Sequence, residues 1–314
     1  MKLNKIKLAL GFVTAAAMAM PIVASAAADQ EKAMSNSANW AHPRGQHDNQ
    51  AYSKLTQVNK GNVKNLKAAW TLSTGVNRGH EGSPLVIGNM LYVHTAFPNN
   101  VYALDLNNNQ KVVWSYFPKQ DPSVQAVLCC DNVNRGLGFG NGKIFLQQND
   151  GNLVALNAKT GAKVWSTSNV DPKVGATNTN APHVINDKVL TGCSGAEFGV
   201  RCFIAAYNIE DGSLAWKAMS TGPDSEVLIG ADFNKENPLY SALSVYEDVN
   251  GGNTEGGSFK RIPNDQLQGG VADLGLKTWL KPQAVKDGWQ HGGGSVWGWW
   301  PYDAKTNLVY YGTG

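Results

Sequence analysis

Residues 155–165, ALNAKTGAKVW, hold the pattern that decides the fold of this chain. The segment predicts a strand, a polar turn containing Gly161, and a second strand that closes on Trp165. Glycine in the turn supplies the positive φ that a tight hairpin needs. Two further segments share the pattern, at residues 103–114 (ALDLNNNQKVVW) and 206–216 (AYNIEDGSLAW), and the three final tryptophans are spaced by 51 residues in both intervals.

Other short strands of alternating polarity precede each of these segments. Their turns are predicted at the pairs Gly88-Asn89, Asn141-Gly142 and Asn186-Asp187. Four short strands in a repeat of about 50 residues are typical of a propeller blade. A β-sandwich with coincidental spacing is the alternative, but the equal intervals and matched turns favour the propeller. The sequence therefore predicts an all-β chain with blade repeats near residues 80–233.

The start of the chain predicts a cleaved signal peptide over residues 1–26. A lysine-rich start precedes the apolar run from Leu8 to Val23, and Ala24-Ser25-Ala26 has the small-x-small form that signal peptidase cuts. A membrane anchor is the alternative. The whole chain has 27 basic and 24 acidic residues, three of the lysines lying in the signal. A nearly neutral mature chain argues against nucleic acid or an anionic membrane as a partner.

The remaining sequence, residues 27–314, is predicted to be one partial propeller. Residues 234–294 break the period and are rich in Gly, Asn, Asp and Pro, so they predict a long insertion or lid between blades. Residues 295–314, SVWGWWPYDAKTNLVYYGTG, return to strand, turn and strand, which predicts the start of another blade. The chain would thus hold about three blades and the beginning of a fourth.

The repeat resembles the tryptophan-docking motif of quinoprotein alcohol dehydrogenases, eight-bladed β-propellers that bind pyrroloquinoline quinone (PQQ). The first copy departs from it, with Asn109-Gln110 where glycine is expected. Four further motifs narrow the resemblance to methanol dehydrogenase large subunits. They are RGHEGSP at 78–84, CCDNVNRG at 129–136, SGAEFGVR at 194–201 and WGWWPYD at 297–303. The resemblance covers nearly the whole chain, but only about half of a complete family member.

This resemblance implies a flat quinone held between two walls. A disulfide between Cys129 and Cys130 would cover one face and Trp297 the other, since sulfur and indole both contact aromatic rings favourably. Arg135 would grip one of the three PQQ carboxylates with its planar fork. The other positions that match residues bonding the quinone or lining its pocket are Glu81, Thr179, Ser194, Gly195 and Ala196.

The residues by themselves leave simpler roles open. Trp297 is compatible with an ordinary core position, and Arg135 with a surface ion pair. The hydroxyls of Thr179 and Ser194 are compatible with bonds to local backbone.

Four cysteines in an exported chain permit three disulfide pairings. The Cα atoms of Cys129 and Cys130 are about 3.8 Å apart across a trans peptide, closer than in a relaxed disulfide. The resemblance implies that these two are bonded to each other. Cys193 and Cys202 depart from the family pattern. Their spacing suits a bridge across a hairpin whose tip presents Glu197, with two buried free thiols as the alternative.

Glu197 matches the carboxylate ligand of the family's active-site cation, either Ca²⁺ or a lanthanide ion. Such hard cations take oxygen ligands and polarise a carbonyl. In the family the next protein ligand, an asparagine, directly follows the residues matching YYGTG, and the catalytic aspartate lies farther on. Both are expected beyond Gly314, so no catalytic base is predicted within this chain. Ala196 resembles the calcium type, while the long insertion leaves the lanthanide type open.

The resemblance implies periplasmic oxidation of methanol or another short primary alcohol to the aldehyde, with electrons passed to a cytochrome c. A homodimer or a small subunit is compatible with it. The 314 residues alone are expected to be inactive and prone to aggregate through an open sheet edge. The alternatives are a cofactor-free scaffold of the outer-membrane assembly type, which has no use for the cysteine pair with Arg135 and Glu197, and a sugar-oxidising quinoprotein.

Overall fold

A computed structural model describes residues 28–228, 246–248, 259–261 and 288–314, with the single positions 263, 266 and 276. The predicted signal peptide and most of the predicted insertion lie outside the described residues. Within this part of the chain no helix has both the length and the apolar character needed to span a membrane.

Three antiparallel sheets of four strands follow one another along the chain. The first sheet contains β1 (Leu85–Ile87), β2 (Met90–His94), β3 (Val101–Asp105) and β4 (Lys111–Tyr116). The second contains β5 (Leu137–Gly140), β6 (Lys143–Gln147), β7 (Asn152–Asn157) and β8 (Lys163–Ser168). The third contains β9 (His183–Ile185), β10 (Lys188–Thr191), β11 (Phe203–Asn208) and β12 (Leu214–Met219). In every sheet the strands pair in chain order, which confirms the predicted four-strand blade.

The other described elements are short. One α-helix, α1, spans Ala28–Ser35, and 3₁₀ turns occupy Val63–Asn65, Pro122–Val127, Pro172–Val174, Ala196–Phe198 and Gly288–Gln290. A hairpin of β13 (Tyr246–Asp248) and β14 (Phe259–Arg261) falls inside the predicted insertion. A second hairpin of β15 (Tyr302–Asp303) and β16 (Leu308–Val309) falls where the next blade is predicted to start. The predicted domain boundaries stay predictions.

The same β-bulge recurs in all three blades. Trp114, Trp165 and Trp216 each pair with the alanine that opens the motif, and the register shifts at the next residue. The prediction that the second strand closes on tryptophan is wrong, because β4, β8 and β12 each continue two or three residues further. The bulge absorbs one extra residue before each tryptophan, so the ladder resumes after it.

The tryptophans join one blade to the next. The indole N–H of Trp114 and that of Trp165 each donate to a backbone carbonyl of the following blade, at 3.1 and 3.2 Å. Their rings lie against Gly161 and Gly212, where an added Cβ would be 2.6 Å from the indole. Glycine is therefore required at these turns for both its φ of 72° and its lack of a side chain.

The apolar residues alternate between two interfaces. Along β6, Ile144 and Leu146 join a core cluster shared with the first blade, whereas Phe145 joins a cluster shared with the third. A third cluster lies between the third blade and the β15–β16 hairpin, and it includes Val296 and Trp300. Side chains of a strand point alternately to its two faces, so the second and third blades are buried on both sides.

The turn chemistry follows the sequence. Gly88, Asn141 and Asn186 have φ of 59°, 50° and 54°, which confirms the three predicted turn pairs. The first copy of the motif reaches the same left-handed region without glycine, since Asn109 and Gln110 have φ of 50° and 54°.

The N-terminal segment crosses several blades. The Asp29 carboxylate accepts hydrogen bonds from the backbone N–H groups of Asn141 and Gly142, both at 2.7 Å. Farther along, His42 Nε2 lies 3.2 Å from Nδ1 of His183 at the start of the third blade. The sequence contained no period that would have predicted these contacts.

Replacing Gly161 with alanine is expected to weaken the joint between the first two blades. Gly161→Ala should lower the free energy of unfolding by about 2–4 kcal/mol, combining a left-handed alanine with a clash against Trp114. Gly142→Ala is the matched control, because Gly142 also has positive φ but nothing lies within 4 Å of an added Cβ. Its cost should be about 1 kcal/mol. Equal costs in urea denaturation would contradict the docking role.

Acid is expected to loosen the contact between the N-terminal segment and the third blade. Burial lowers the pKa of His183 to about 3 and holds the pKa of His42 well below its ordinary value, with the neighbouring His183 and His47 adding to the latter shift. Because the unfolded chain takes up these protons near pH 6.5 and the folded chain does not, stability is highest above pH 6.5 and falls as pH drops towards 3.

Between about pH 7 and pH 5, His183 should account for a loss of about 2 kcal/mol in the free energy of unfolding. Urea titrations at both pH values measure it. His183→Gln should flatten the difference, and an unchanged pH dependence in that variant would argue against the assignment.

Candidate functional site

One cavity of about 290 Å³ collects most of the predicted site residues. Its lining consists of Cys129, Cys130, Arg135, Thr179, Ser194, Ala196, Glu197, Ser295, Trp297 and Gly314. All of them come from loops at one end of the sheets. At this end the odd-numbered strands begin and the even-numbered strands end. The loops of successive antiparallel blades meet at this end, so residues far apart in sequence become neighbours.

The adjacent cysteines form a disulfide at one wall of the cavity. They lie in a loop whose next residues continue a left-handed turn, with φ of 62°, 60° and 63° at Cys130, Asp131 and Asn132. The Asp131 carboxylate accepts hydrogen bonds from the backbone N–H of Gly79 and from the Arg78 guanidinium, both at 2.9 Å. These bonds lower the pKa of Asp131 and tie the cysteine loop to the loop that carries Glu81.

Arg135 places a buried positive charge beside the cavity. Only 5% of its surface is exposed, and its Nε lies 3.1 Å from a carboxylate oxygen of Glu81. The guanidinium also donates to the backbone carbonyl of Thr179 at 3.3 Å and lies 4.6 Å from the ring centre of Trp297. Burial lowers the pKa of Arg135 and Glu81 raises it, but a guanidinium remains protonated in proteins.

Two buried hydroxyls stand together at the cavity. The Oγ atoms of Thr179 and Ser194 are 2.7 Å apart, so one donates to the other. Beside them, the backbone of Ser194 exchanges two hydrogen bonds with Thr177, at 2.9 and 3.0 Å. The backbone pairing of Thr177 with Ser194 joins the loop before β9 to the loop after β10. The two hydroxyls at the cavity can each make a further hydrogen bond.

Glu197 is presented by a short turn between two glycines. Gly195 and Gly199 have φ of 116° and 85° and flank the 3₁₀ turn Ala196–Phe198. An added Cβ on Gly195 would lie 2.2 Å from the backbone oxygen of Gly175, so only glycine fits. Gly195 therefore sets the shape of this loop. It is not among the residues that line the cavity. Glu197 is exposed, and it is the one acidic side chain among the described residues of the lining.

Trp297 forms another wall and is 44% exposed. Ser295, two residues earlier, exchanges two backbone hydrogen bonds of 3.1 Å with Gly314. An added Cβ on Gly314 would lie 2.8 Å from the indole nitrogen of Trp297. Gly314 thus packs against the indole of Trp297, and both residues line the cavity.

The sequence did not single out three residues of this region. Ser295 and Gly314 line the cavity, and both belong to segments that the motifs already marked, so proximity to Trp297 and to YYGTG was the available signal. His94 lies behind the cavity, with its ring 2.1 Å from the place of a Cβ on Gly82. Its Nε2 donates to the backbone oxygen of Asn134 at 3.1 Å, and burial lowers its pKa to about 4. Strand alternation does not reveal that role.

The structure contains a second disulfide, between Cys193 and Cys202. Both cysteines are fully buried in the core cluster shared by the second and third blades. The bridge closes the loop that holds Ser194 and Glu197. Among the described residues, no group of three or more His, Cys, Asp or Glu side chains converges on a metal site.

The cavity therefore combines an arginine cation, two hydroxyls, a disulfide and an indole. Such a set can hold a flat, anionic, aromatic molecule, and its volume is close to the lower end of the range of about 300–1,000 Å³ for small-molecule pockets. Glu197 adds a carboxylate that can help to hold a hard cation.

Comparison with known proteins gives a consistent family. Residues 40–237 match the family model described as PQQ: glucose/ethanol/alcohol dehydrogenase, β-propeller domain. The chain is 45% identical to methanol dehydrogenase [cytochrome c] subunit 1 of Methylorubrum extorquens, over 88% of this chain and 40% of that protein. It is 46% identical to a lanthanide-dependent methanol dehydrogenase of the same organism, over 90% of this chain and 41% of that protein.

A solved structure agrees with these sequence matches. A europium-containing methanol dehydrogenase superposes with a TM-score of 0.75 and 41% identity, covering 91% of this chain and 44% of that chain. The chain thus spans about 40% of the length of the curated relatives that it matches.

Proposed function

The chain belongs to the glucose/ethanol/alcohol dehydrogenase β-propeller family, and on that premise we propose that the whole protein is a PQQ-dependent dehydrogenase of methanol or another short primary alcohol. Relatives named methanol dehydrogenase, at 45% and 46% identity, support this substrate class. Because the chain spans only part of their length, the proposal concerns the whole protein.

The observation that carries the proposal is the buried guanidinium of Arg135, which lines the same cavity as the cysteine pair and Trp297. A charge with 5% exposure is costly to bury, and Glu81 alone does not use all five of its N–H donors. The carbonyl of Thr179 accepts one more of them, and a ligand carboxylate in the cavity would use donors that remain. The donor set and the two flat or polarizable walls therefore fit PQQ, which is planar and carries three carboxylates.

We assign the following roles to the residues of this chain. The Cys129–Cys130 disulfide and the Trp297 indole would enclose the two faces of the quinone, and Arg135 would bind a carboxylate. The hydroxyls of Thr179 and Ser194 would bind its remaining polar edge. When bound, PQQ supplies the two-electron acceptor that an alcohol needs to become an aldehyde.

Glu197 would be one ligand of a cation in the same cavity. A Ca²⁺ or lanthanide ion supplies a Lewis acid that oxygen ligands hold well. One of the relatives is named a lanthanide-dependent enzyme, whereas the name of the other states no metal, and Glu197 is compatible with either type of ion. One carboxylate does not complete such a site, so we place the other protein ligands and the general base in the remainder of the whole protein.

Export to the periplasm and electron transfer to a cytochrome c are part of the proposal. The lysine-rich, apolar start of the sequence supports export. One relative carries cytochrome c in its name, which supports that acceptor. A homodimer or a small subunit is compatible with this assignment. A cofactor-free scaffold gives no role to a buried arginine facing a cavity.

A dye-reduction assay on the full-length protein tests the function. The protein, reconstituted with PQQ and either Ca²⁺ or La³⁺, is expected to reduce the dye with methanol or ethanol and not with glucose. A response to glucose alone would favour a sugar-oxidising quinoprotein. No response to any substrate, together with no PQQ binding, would favour the scaffold.

Arg135→Lys should weaken PQQ binding by about 10-fold to 100-fold, because lysine keeps the charge but loses the bidentate fork. Fluorescence titration of the apoprotein with PQQ measures the dissociation constant. Arg44→Lys is the matched control, since the Arg44 guanidinium lies 5.1 Å from the ring centre of Trp299 and does not line the cavity. An unchanged constant in Arg135→Lys would refute the assigned role.

A further inference from the structure

We propose that the Cys193–Cys202 disulfide is a positioning device that fixes two walls of the cavity relative to each other. One wall is the loop that carries Glu197, and the other is the segment that carries Trp297. The inference rests on the proposed function only for the identity of the bound groups, PQQ and a cation. Neither cysteine touches the cavity, so both act through the backbone that they anchor.

The first wall depends on the disulfide because the bridge closes its loop. Cys193 and Cys202 stand at the two ends of the loop, one residue before Ser194 and one residue after Arg201. Inside the loop, Gly195 and Gly199 hold left-handed conformations. Glycine loses more conformational freedom on folding than other residues, so a loop built on two of them gains order from a covalent closure. The exposed Glu197 has no salt bridge among the described contacts that would order it.

The second wall is bonded to the same two cysteines through the backbone. Val296 N–H donates to the carbonyl of Cys193 at 2.9 Å, and Cys202 N–H donates to the carbonyl of Gly293 at 3.1 Å. Both partners lie just before Trp297 in the chain. The contact is tight, since a Cβ on Gly192 would lie 2.0 Å from the backbone oxygen of Val296.

The residue next to Cys202 reinforces this second contact. The Arg201 guanidinium lies 4.6 Å from the ring centre of Trp289 and donates from Nε to the carbonyl of Thr221 at 3.0 Å. Thr221 in turn donates from its hydroxyl to the carbonyl of Trp289 at 3.2 Å. Backbone hydrogen bonds at Gly293 and Val296 thus attach the Trp297 segment to the two bridged cysteines, and the Arg201 contacts hold Trp289, which precedes that segment.

Besides the packing of the buried Val296 in the third core cluster, the contacts of the Trp297 segment with the two cysteines are backbone hydrogen bonds. A single hydrogen bond adds little net stability, and bonds near an exposed loop open easily. Because Glu197 is exposed and Trp297 is 44% exposed, packing orders the first side chain little and the second only in part. The buried disulfide supplies the rigid point that both walls share.

The test measures amide hydrogen exchange in the full-length protein without PQQ or metal. In the double variant C193A/C202A, exchange should accelerate about tenfold or more in both residues 194–199 and residues 293–297. Val154→Ala is the matched control, because Val154 is fully buried in the other core cluster, between the first two blades. It should lower Tm while leaving exchange in both segments unchanged. Wild-type exchange at 293–297 in C193A/C202A would overturn the proposal.

A second readout measures metal binding at a temperature well below the Tm of each variant. The dissociation constant of Tb³⁺, detected by sensitised luminescence in the PQQ-loaded protein, should rise about tenfold in C193A/C202A and stay constant in Val154→Ala. A wild-type constant in C193A/C202A would also overturn the proposal. Failure of the wild-type protein to bind PQQ would refute the proposed function, whereas the exchange experiment would still decide the role of the bridge.

A reduced sample covers the case in which C193A/C202A does not fold. In a C129A/C130A background the Cys193–Cys202 bridge is the one remaining disulfide among the four cysteines of the chain, so dithiothreitol adds two electrons and two protons and yields two thiols there. Alkylation of Cys193 and Cys202, detected in their peptides by mass spectrometry, confirms the reduction of this bridge. Faster exchange in both segments after reduction supports the proposal, and faster exchange in residues 194–199 alone contradicts it.

Discussion

The packing of Trp114 and Trp165, each on a glycine of the following blade, is the contact on which the rest of this structure depends. A four-stranded sheet with apolar residues on both faces cannot bury either face by itself. Trp114 and Trp165 close the joint at the outer part of the blades, while residues such as Ile144 and Phe145 fill the interfaces on either side of β6. The bulge before each tryptophan turns the indole towards the next blade without ending the ladder.

This stacking fixes where the cavity lies. Once the blades are joined in order, two sets of loops lie at the same end of the sheets. They are the loops that precede the first strand and the loops that follow the second strand of each blade. Arg135 before β5, Thr179 before β9 and Ser194 after β10 therefore meet, although none belongs to a strand. A buried arginine is tolerated there because Glu81 and a backbone carbonyl partly compensate it. The remaining N–H donors of Arg135 make this end of the sheets suited to an anionic ligand.

Most of the residues that line the cavity belong to motifs that are continuous in the chain, so the sequence could mark them together. Cys129, Cys130 and Arg135 lie within one motif, and Ser194 to Glu197 within another. What the motifs did not reveal are supporting contacts between distant segments. Asp131 bonding to Gly79, His94 behind Gly82 and the N-terminal His42 against His183 have no periodic signal, since each joins residues brought together only by folding.

The sequence by itself determined the local features: the blade repeat, the turn pairs with positive φ, and the residue types available to bind a flat anion. Those depend on the alternation of side chains and on backbone sterics, which act over a few residues. Only the tertiary structure decided that the strands continue past their tryptophans, that Gly195 shapes its loop without lining the cavity, and that one buried disulfide contacts both the Glu197 loop and the Trp297 segment. The physical reason is that these features depend on close packing between blades, and the positions of atoms in separate segments are set only when the interfaces are filled.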